Sequence, residues 1–235
     1  MSEFIGTALL VLVGLSIVIF NNGEGSPVII WIPDDGWRRA LTGFLFGTTG
    51  CLITLSPVGK ISGAHINPIV SIAFWLKRKI STRHMFGFIV SQMAGAAVGA
   101  LPLLSWGVQG ASIGYGNTTP QPGNGGMLAA FEGEVLTSFC LVALIFFFTG
   151  HKHLRRYTPY MIPVLYCIMV YAEGRISGTS TNPARSFGPA LVSRIWTCYW
   201  LYWAAPLTGS LIAVFLFEMP FMWRWKTEIP KLNQR

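Results

Sequence analysis

Long apolar runs separated by short polar connections dominate the pattern along this chain. A bilayer core about 30 Å thick is crossed by a helix of about 20 mostly apolar residues. Five runs are long enough: residues 1–20, 37–56, 84–104, 127–149 and 198–218. A sixth run, residues 158–172, is shorter and contains two prolines. It still spans if it continues to about Ile176 or if the bilayer thins locally. The pattern therefore predicts an all-α membrane protein with six transmembrane helices.

Two further apolar runs, residues 68–76 and 183–193, are too short to cross a membrane. Each begins at an Asn-Pro pair that follows a glycine-containing loop, which predicts a re-entrant half-helix. Non-helical backbone at membrane depth is tolerated only where it is buried in protein or lines a water-filled cavity. Two such loops therefore indicate an aqueous path.

An internal repeat relates the two halves of the chain. Residues 62–71 align without gaps with residues 177–186, and Ser, Gly, Asn, Pro and Ser coincide at an offset of 115. Each half also opens its first span with a glutamate, Glu3 or Glu134. Because each repeat contains three spans, the second copy enters from the opposite side, and the two half-helices of this inverted repeat meet near the midplane.

The two Asn-Pro pairs carry the chemistry of helix starts. Asn is among the best N-cap residues, and Pro suits the first helical position because its missing N–H has no partner there. We therefore expect the half-helices to begin at Asn67-Pro68 and Asn182-Pro183. Their N-termini each carry roughly half a positive charge. The pore centre should repel cations, while the Asn amides donate hydrogen bonds to a passing water or hydroxyl.

Composition supports the membrane interpretation. The chain is 52% hydrophobic and 11% charged, whereas soluble domains carry about 25% charged residues. The formal charge of +8 does not indicate nucleic-acid binding, because Lys and Arg lie between the apolar runs rather than along one face. Twelve of the 17 follow the second and fourth spans or lie in the tail, so the positive-inside rule predicts that both termini are cytoplasmic. The cysteines lack metal-ligand spacing, and no cofactor or metal is expected.

The span order, the repeat and the paired motifs resemble the aquaporin family, also called the major intrinsic proteins, over nearly the whole chain. The most specific stretch is residues 182–189, Asn-Pro-Ala-Arg-Ser-Phe-Gly-Pro. The resemblance implies an aquaporin-like fold in a single transmembrane domain over residues 1–235. One repeat covers about residues 1–105, the other about 127–218, and 219–235 form a cytoplasmic tail. It further implies a homotetramer in the lipid bilayer of the plasma (inner) membrane.

The resemblance also implies roles for particular residues. The pore asparagine motifs are Asn67, Pro68, Ile69, Asn182, Pro183 and Ala184. The selectivity filter consists of Gly47 or Phe46, Val170, Thr179 and Arg185. Backbone carbonyls that accept hydrogen bonds from solute belong to Gly63, Ala64, His65, Gly178, Thr179 and Ser180. Glu3 and Glu134 are interpreted as buried acceptors that hold the loops, rather than as proton-coupling carboxylates.

Several positions depart from the family pattern. Ile69 occupies a position where the family usually has the small Ala, and Val170 one where water-selective members have histidine. Ser186 and Ala190 differ from the Asp and Arg of glycerol facilitators. The missing histidine predicts a wide aperture. We therefore predict a passive channel for water and other small neutral solutes that excludes ions and protons. The alternative is a channel mainly for metalloids or polyols, such as arsenous acid or glycerol.

Two other classes of protein compete with a channel. Inverted repeats and broken helices also build secondary transporters, which need an ionisable coupling residue in the pathway. The candidates Glu3, Glu134 and Arg185 each have a channel explanation. An enzyme is disfavoured because the sequence has no Ser/His/Asp set, carboxylate pair or metal cluster at usable spacing.

Overall fold

All regular secondary structure in the computed structural model, which describes residues 1–121 and 125–219, is helical. The first to sixth spans are Ser2–Asn22, Asp35–Leu55, Thr82–Ala100, Gly126–Gly150, Thr158–Glu173 and Leu201–Leu216. The half-helices Pro68–Leu76 and Pro183–Ser193 begin and end at the predicted residues. The six spans and two half-helices are therefore confirmed. The predicted tail, except Met219, lies outside the described residues.

The spans differ in length. Three described segments are long and apolar enough by themselves to cross a membrane: Ser2–Asn22, Thr82–Ala111 and Gly126–Gly150. In the second of these, the α-helix ends at Ala100 and a 3₁₀ stretch, Leu101–Trp106, continues it. Pro102 lies in that stretch, where its missing N–H removes a helical hydrogen bond. The fifth and sixth spans have 16 residues each, so each is about 24 Å long.

Two short helices that begin at a Ser-Pro pair were not predicted from the hydrophobic pattern. They are Pro27–Trp31 and Pro57–Ser62, and both follow a serine that caps the helix. The Ser26 hydroxyl accepts from the Val28 amide, and that of Ser56 from the Gly59 amide, each at 3.1 Å. The two Ser-Pro pairs are thus the sequence signal for these helices, because Ser is a preferred N-cap and Pro suits the first position.

Glycines bring the spans of each repeat close together. Gly95 of the third span packs against the Phe4 carbonyl of the first, so a Cβ atom there would approach the carbonyl within 3.0 Å. Gly209 of the sixth span packs in the same way against the Val135 carbonyl of the fourth. Small residues at such crossings allow close backbone approach between membrane helices. Phe4 and Val135 directly follow Glu3 and Glu134 in the sequence. The two glutamates therefore lie next to equivalent helix crossings in the two repeats.

Candidate functional site: a pore between two half-helices

The two half-helices meet end to end through their asparagines. Each asparagine caps its own helix, since Asn67 Oδ1 accepts from the Ile69 amide and Asn182 Oδ1 from the Ala184 amide, both at 3.0 Å. Each Nδ2 also donates to the opposite loop, to the carbonyl of Thr181 or of Ile66, at 2.9 Å. An amide nitrogen has two protons. The second proton of each asparagine therefore remains for another acceptor, and both asparagines line a cavity.

The loops that precede the asparagines have an unusual and repeated backbone. In both loops, Gly, the next residue and the one before Asn have positive φ angles. The first loop has 83° at Gly63, 49° at Ala64 and 42° at Ile66, and the second has 91° at Gly178, 48° at Thr179 and 52° at Thr181. A non-glycine residue in this region costs of order 1–3 kcal/mol and persists only where its surroundings enforce it. The strained positions of the two loops are 115 residues apart, as in the sequence repeat, so both loops adopt the same backbone conformation.

Two buried carboxylates hold these strained loops. Glu3 accepts hydrogen bonds from Ser62 Oγ at 2.5 Å and from the amides of His65 at 3.0 Å and Ile66 at 2.7 Å. Glu134 accepts them from Ser177 Oγ at 2.6 Å and from the amides of Ser180 at 2.6 Å and Thr181 at 2.8 Å. The donors are equivalent positions of the repeat. Because a buried charge is tolerated only when it is well hydrogen-bonded, this geometry accounts for the burial of both glutamates.

Two cavities lie on either side of the half-helix junction. The outer cavity has a volume of about 540 Å³ and is lined by filter candidates including Val170, Thr179 and Arg185. The inner cavity has a volume of about 380 Å³. Candidate pore residues that line the inner cavity are Gly47, Gly63, Ala64, His65, Asn67 and Asn182. Val170, Thr179 and Arg185 are thus separated from the asparagines by cavity, whereas the filter candidate Gly47 lies on the inner side and Phe46 lines both cavities.

Arg185 is buried in the wall of the outer cavity. Its Nη1 donates to the Gly116 carbonyl at 2.7 Å, and its guanidinium carbon lies 5.8 Å from the centre of the Phe46 ring. Phe46 thus lies beside Arg185, whereas Gly47 contacts the backbone at Pro163, where a Cβ would come within 3.0 Å. Of the two residues predicted from the sequence for this filter position, Phe46 has the geometry of a filter side chain.

Ile69 and His65 have their side chains largely in the protein core. Ile69 is 1% exposed and packs in an apolar cluster with Val142 and Phe146, so its extra bulk is taken up beside the half-helix rather than in the described cavities. The His65 ring packs against the Phe74 ring at a tilt of 43°, and its Nδ1 lies 3.2 Å from Ser71 Oγ. Its backbone remains part of the strained loop that lines the inner cavity.

Glu173 is a buried acidic residue that the sequence interpretation missed. It ends the fifth span, is 6% exposed, and accepts a hydrogen bond from Thr179 Oγ1. Its Oε1 has no hydrogen-bond partner and lies against Gly133 of the fourth span. The signal in the sequence that could have identified Glu173 was its position as a lone acidic residue at the predicted end of a span. The hydrogen bond to Glu173 fixes the orientation of the Thr179 side chain in the outer cavity.

The connection between the third and fourth spans also reaches the pore, which the sequence did not predict. Besides the Gly116 carbonyl that holds Arg185, Thr118 Oγ1 lies 2.7 Å from Ser186 Oγ on the second half-helix. Asn117 Nδ2 donates to the Ile195 carbonyl at 2.8 Å, just after that half-helix. The connection has no charged residue. Its polar side chains and carbonyls therefore form one wall of the outer entrance.

Comparisons with known proteins agree with this geometry. The sequence profile described as "Major intrinsic protein" matches residues 1–217. Aquaporin AqpM of Methanothermobacter marburgensis is 30% identical over 92% of this chain and 94% of its own length. Aquaporin-4 of Mus musculus is 32% identical over 94% of this chain, which spans 66% of that relative. The crystal structure of the Plasmodium falciparum aquaglyceroporin covers 95% of this chain and 96% of its own, with a TM-score of 0.76 at 20% identity, and supports the fold.

The two sequence relatives are named as aquaporins, which does not favour a channel mainly for polyols or metalloids. They also agree with a channel rather than an enzyme. Together with two half-helices that meet inside a six-span inverted repeat, the comparisons give one assignment. The chain belongs to the major intrinsic protein family and is a passive membrane channel for water and small solutes.

Proposed function

We propose that water and small uncharged solutes cross this protein along the path from the outer cavity, past the paired asparagines, to the inner cavity, while ions and protons are excluded. The observation that carries the proposal is the reciprocal pair of hydrogen bonds from Asn67 and Asn182, which leaves one amide proton of each for a passing solute. The positive ends of both half-helices converge there and oppose a cation.

The surrounding residues have complementary roles in this proposal. Val170, Thr179, Arg185 and Phe46 form the outer filter, and the strained loops present their carbonyls as successive acceptors. Glu3 and Glu134 hold these loops and do not couple solute flux to proton transport, because their oxygens are engaged by backbone and serine donors.

The family and the distribution of basic residues also support a proposed setting for the molecule. We place a single domain over residues 1–235 in the plasma (inner) membrane, with both termini cytoplasmic and four identical copies in the assembly. The two repeats, about 1–105 and 127–218, then enter from opposite sides, and 219–235 form a cytoplasmic tail.

Proteoliposome swelling with water, glycerol, urea and arsenous acid, together with a proton-sensitive dye inside the vesicles, tests the function. A matched pair of variants on the second span tests the path. Thr54 lines the inner cavity, whereas Leu52 is 64% exposed on the outside of the helix. We expect Thr54→Trp to reduce water permeability to nearly that of protein-free vesicles, because the indole fills the cavity, while Leu52→Trp retains it.

Saturable solute flux that dissipates a proton gradient would indicate a transporter and would contradict the channel. Equal water permeability in the Thr54→Trp and Leu52→Trp vesicles would show that solutes cross elsewhere. The amount of reconstituted protein must be matched between the two preparations.

A further inference from the structure

Among the residues that the structure describes, Phe46 and Tyr166 are the two that line both cavities. Their ring centroids lie 5.6 Å apart, and each residue is 7% exposed. Val170, Thr179 and Arg185 line the outer cavity alone, and the two asparagines line the inner one. The two rings therefore lie where the cavities adjoin, and a solute that moves from one cavity to the other passes them.

We propose that Tyr166, with Phe46, forms the size-selective constriction of the pore and that Val170 does not. The inference rests on the proposed channel function and deepens it. Tyr166 and Val170 are one turn apart on the fifth span, about 6 Å along its axis. The wide position that Val170 creates is thus followed by a narrow one, nearer to the asparagines. The solute that fits is water, and a solute of glycerol size is retarded at the rings.

Close helix contacts fix the Phe46 ring and the backbone of Tyr166 in place. A Cβ atom on Gly43 of the second span would come within 3.0 Å of the Tyr166 carbonyl, so the backbone of the fifth span lies directly against the second. On the other side, a Cβ on Gly14 of the first span would come within 3.0 Å of the Phe46 ring. Because packed interiors leave little free volume, the Phe46 ring cannot move aside towards the first span, and the backbone that carries Tyr166 cannot move towards the second.

The Tyr166 hydroxyl gives the constriction a polar side. It lies 2.8 Å from Thr181 Oγ1, and that hydroxyl donates its own proton to the Ser180 carbonyl at 2.7 Å. A threonine hydroxyl has one proton. Tyr166 is therefore the donor to Thr181, and its oxygen keeps lone pairs that can accept from a passing water. The Tyr166 ring sets the width of the constriction. Its hydroxyl oxygen replaces one of the hydrogen bonds that a water molecule loses when it leaves bulk water and enters the pore.

Two variants separate these roles, and a third locates the constriction. Water and glycerol permeabilities of reconstituted wild-type protein are compared with those of Tyr166→Leu, Tyr166→Phe and Val170→Ala. We expect Tyr166→Leu to raise the glycerol-to-water permeability ratio about tenfold, which corresponds to roughly 1.4 kcal/mol of barrier. Tyr166→Phe keeps the ring and should keep the wild-type ratio. Val170→Ala widens a filter position that lies outside the rings and should raise the ratio by less than either Tyr166→Leu or Phe46→Leu.

Phe46→Leu provides an independent test from the neighbouring second span, and we expect it to raise the ratio even if Tyr166→Leu reconstitutes poorly. A wild-type ratio in both leucine variants, or a larger increase in Val170→Ala than in either, would overturn the inference. Wild-type vesicles that conduct no more water than protein-free vesicles would instead overturn the channel, and the constriction with it. Failure of the proposed function is thus distinguishable from failure of the inference.

Discussion

At the scale of single residues, Glu134 combines full burial with three hydrogen bonds from the loop that precedes Asn182. Replacement by glutamine turns one acceptor oxygen into a donor that faces an N–H group or a hydroxyl. An unsatisfied buried polar group costs about 1–3 kcal/mol. We therefore expect Glu134→Gln to lower the apparent melting temperature in detergent and to reduce water permeability, because the strained loop carbonyls lose their support.

Glu132 supplies the control for this substitution. It lies on the same helix, two residues earlier, and its side chain is exposed. Glu132→Gln should leave both the melting temperature and the water permeability at wild-type values. If the two variants behaved alike, loss of a negative charge from the helix rather than loss of the loop contacts would explain the effect of Glu134→Gln. The interpretation of both glutamates as acceptors that hold the loops would then fail.

The sequence predicted single residues well where local chemistry determines their position. The asparagines cap their helices because capping depends on the next few residues. Tyr166 was missed because its position at the boundary depends on how closely the second and fifth spans pack at Gly43, which no local pattern records. Glu173 was missed because its contact with Thr179 depends on how the loop after the span folds back.

At the scale of elements, the half-helices were predicted to the residue, whereas the spans were displaced by one to three residues at most ends. The difference follows from their termini. An Asn-Pro pair marks a helix start through its own hydrogen bonds, while an apolar run changes gradually into its polar flanks. The largest error was at the end of the third span, where the apolar run continues to Leu104 but the α-helix ends at Ala100.

The crossing of the first and third spans leads to a test of helix packing. Gly95→Ala places a methyl group against the Phe4 carbonyl, where a Cβ would come within 3.0 Å. We expect a lower apparent melting temperature, and also lower water permeability, because Phe4 adjoins Glu3 and displacement of the first span moves the carboxylate. The measurement is thermal unfolding in detergent alongside vesicle swelling.

Gly87 of the same span is the matched control, because a Cβ there meets no atom within 4 Å. Gly87→Ala should stabilise the protein by about 0.4–1 kcal/mol, since the unfolded chain loses conformational freedom. Stabilisation of similar size in both variants would mean that the crossing tolerates a methyl group and that the close approach at Gly95 is not required.

At the scale of the whole molecule, the inverted repeat brings three positive features to one path: the N-terminal ends of two half-helices and the guanidinium of Arg185. The helix ends are built from backbone and remain in any point variant. Arg185 lies farther out, held by the Gly116 carbonyl and the Phe46 ring. A cation that enters from the outer cavity therefore meets the arginine first and the helix ends second.

Substitution of Arg185 separates these two barriers. We expect Arg185→Val to raise proton or sodium leakage while water still passes, because fixed positive groups in a pore exclude cations electrostatically. Arg185→Lys keeps the charge but loses the planar fork that holds Arg185, so it should remain tight to cations. The measurement is dye-detected ion flux into vesicles under a potassium diffusion potential, with swelling in parallel. Leakage from both variants would assign exclusion to the geometry of the guanidinium rather than its charge. A valine variant as tight as wild type would show that the helix ends alone suffice.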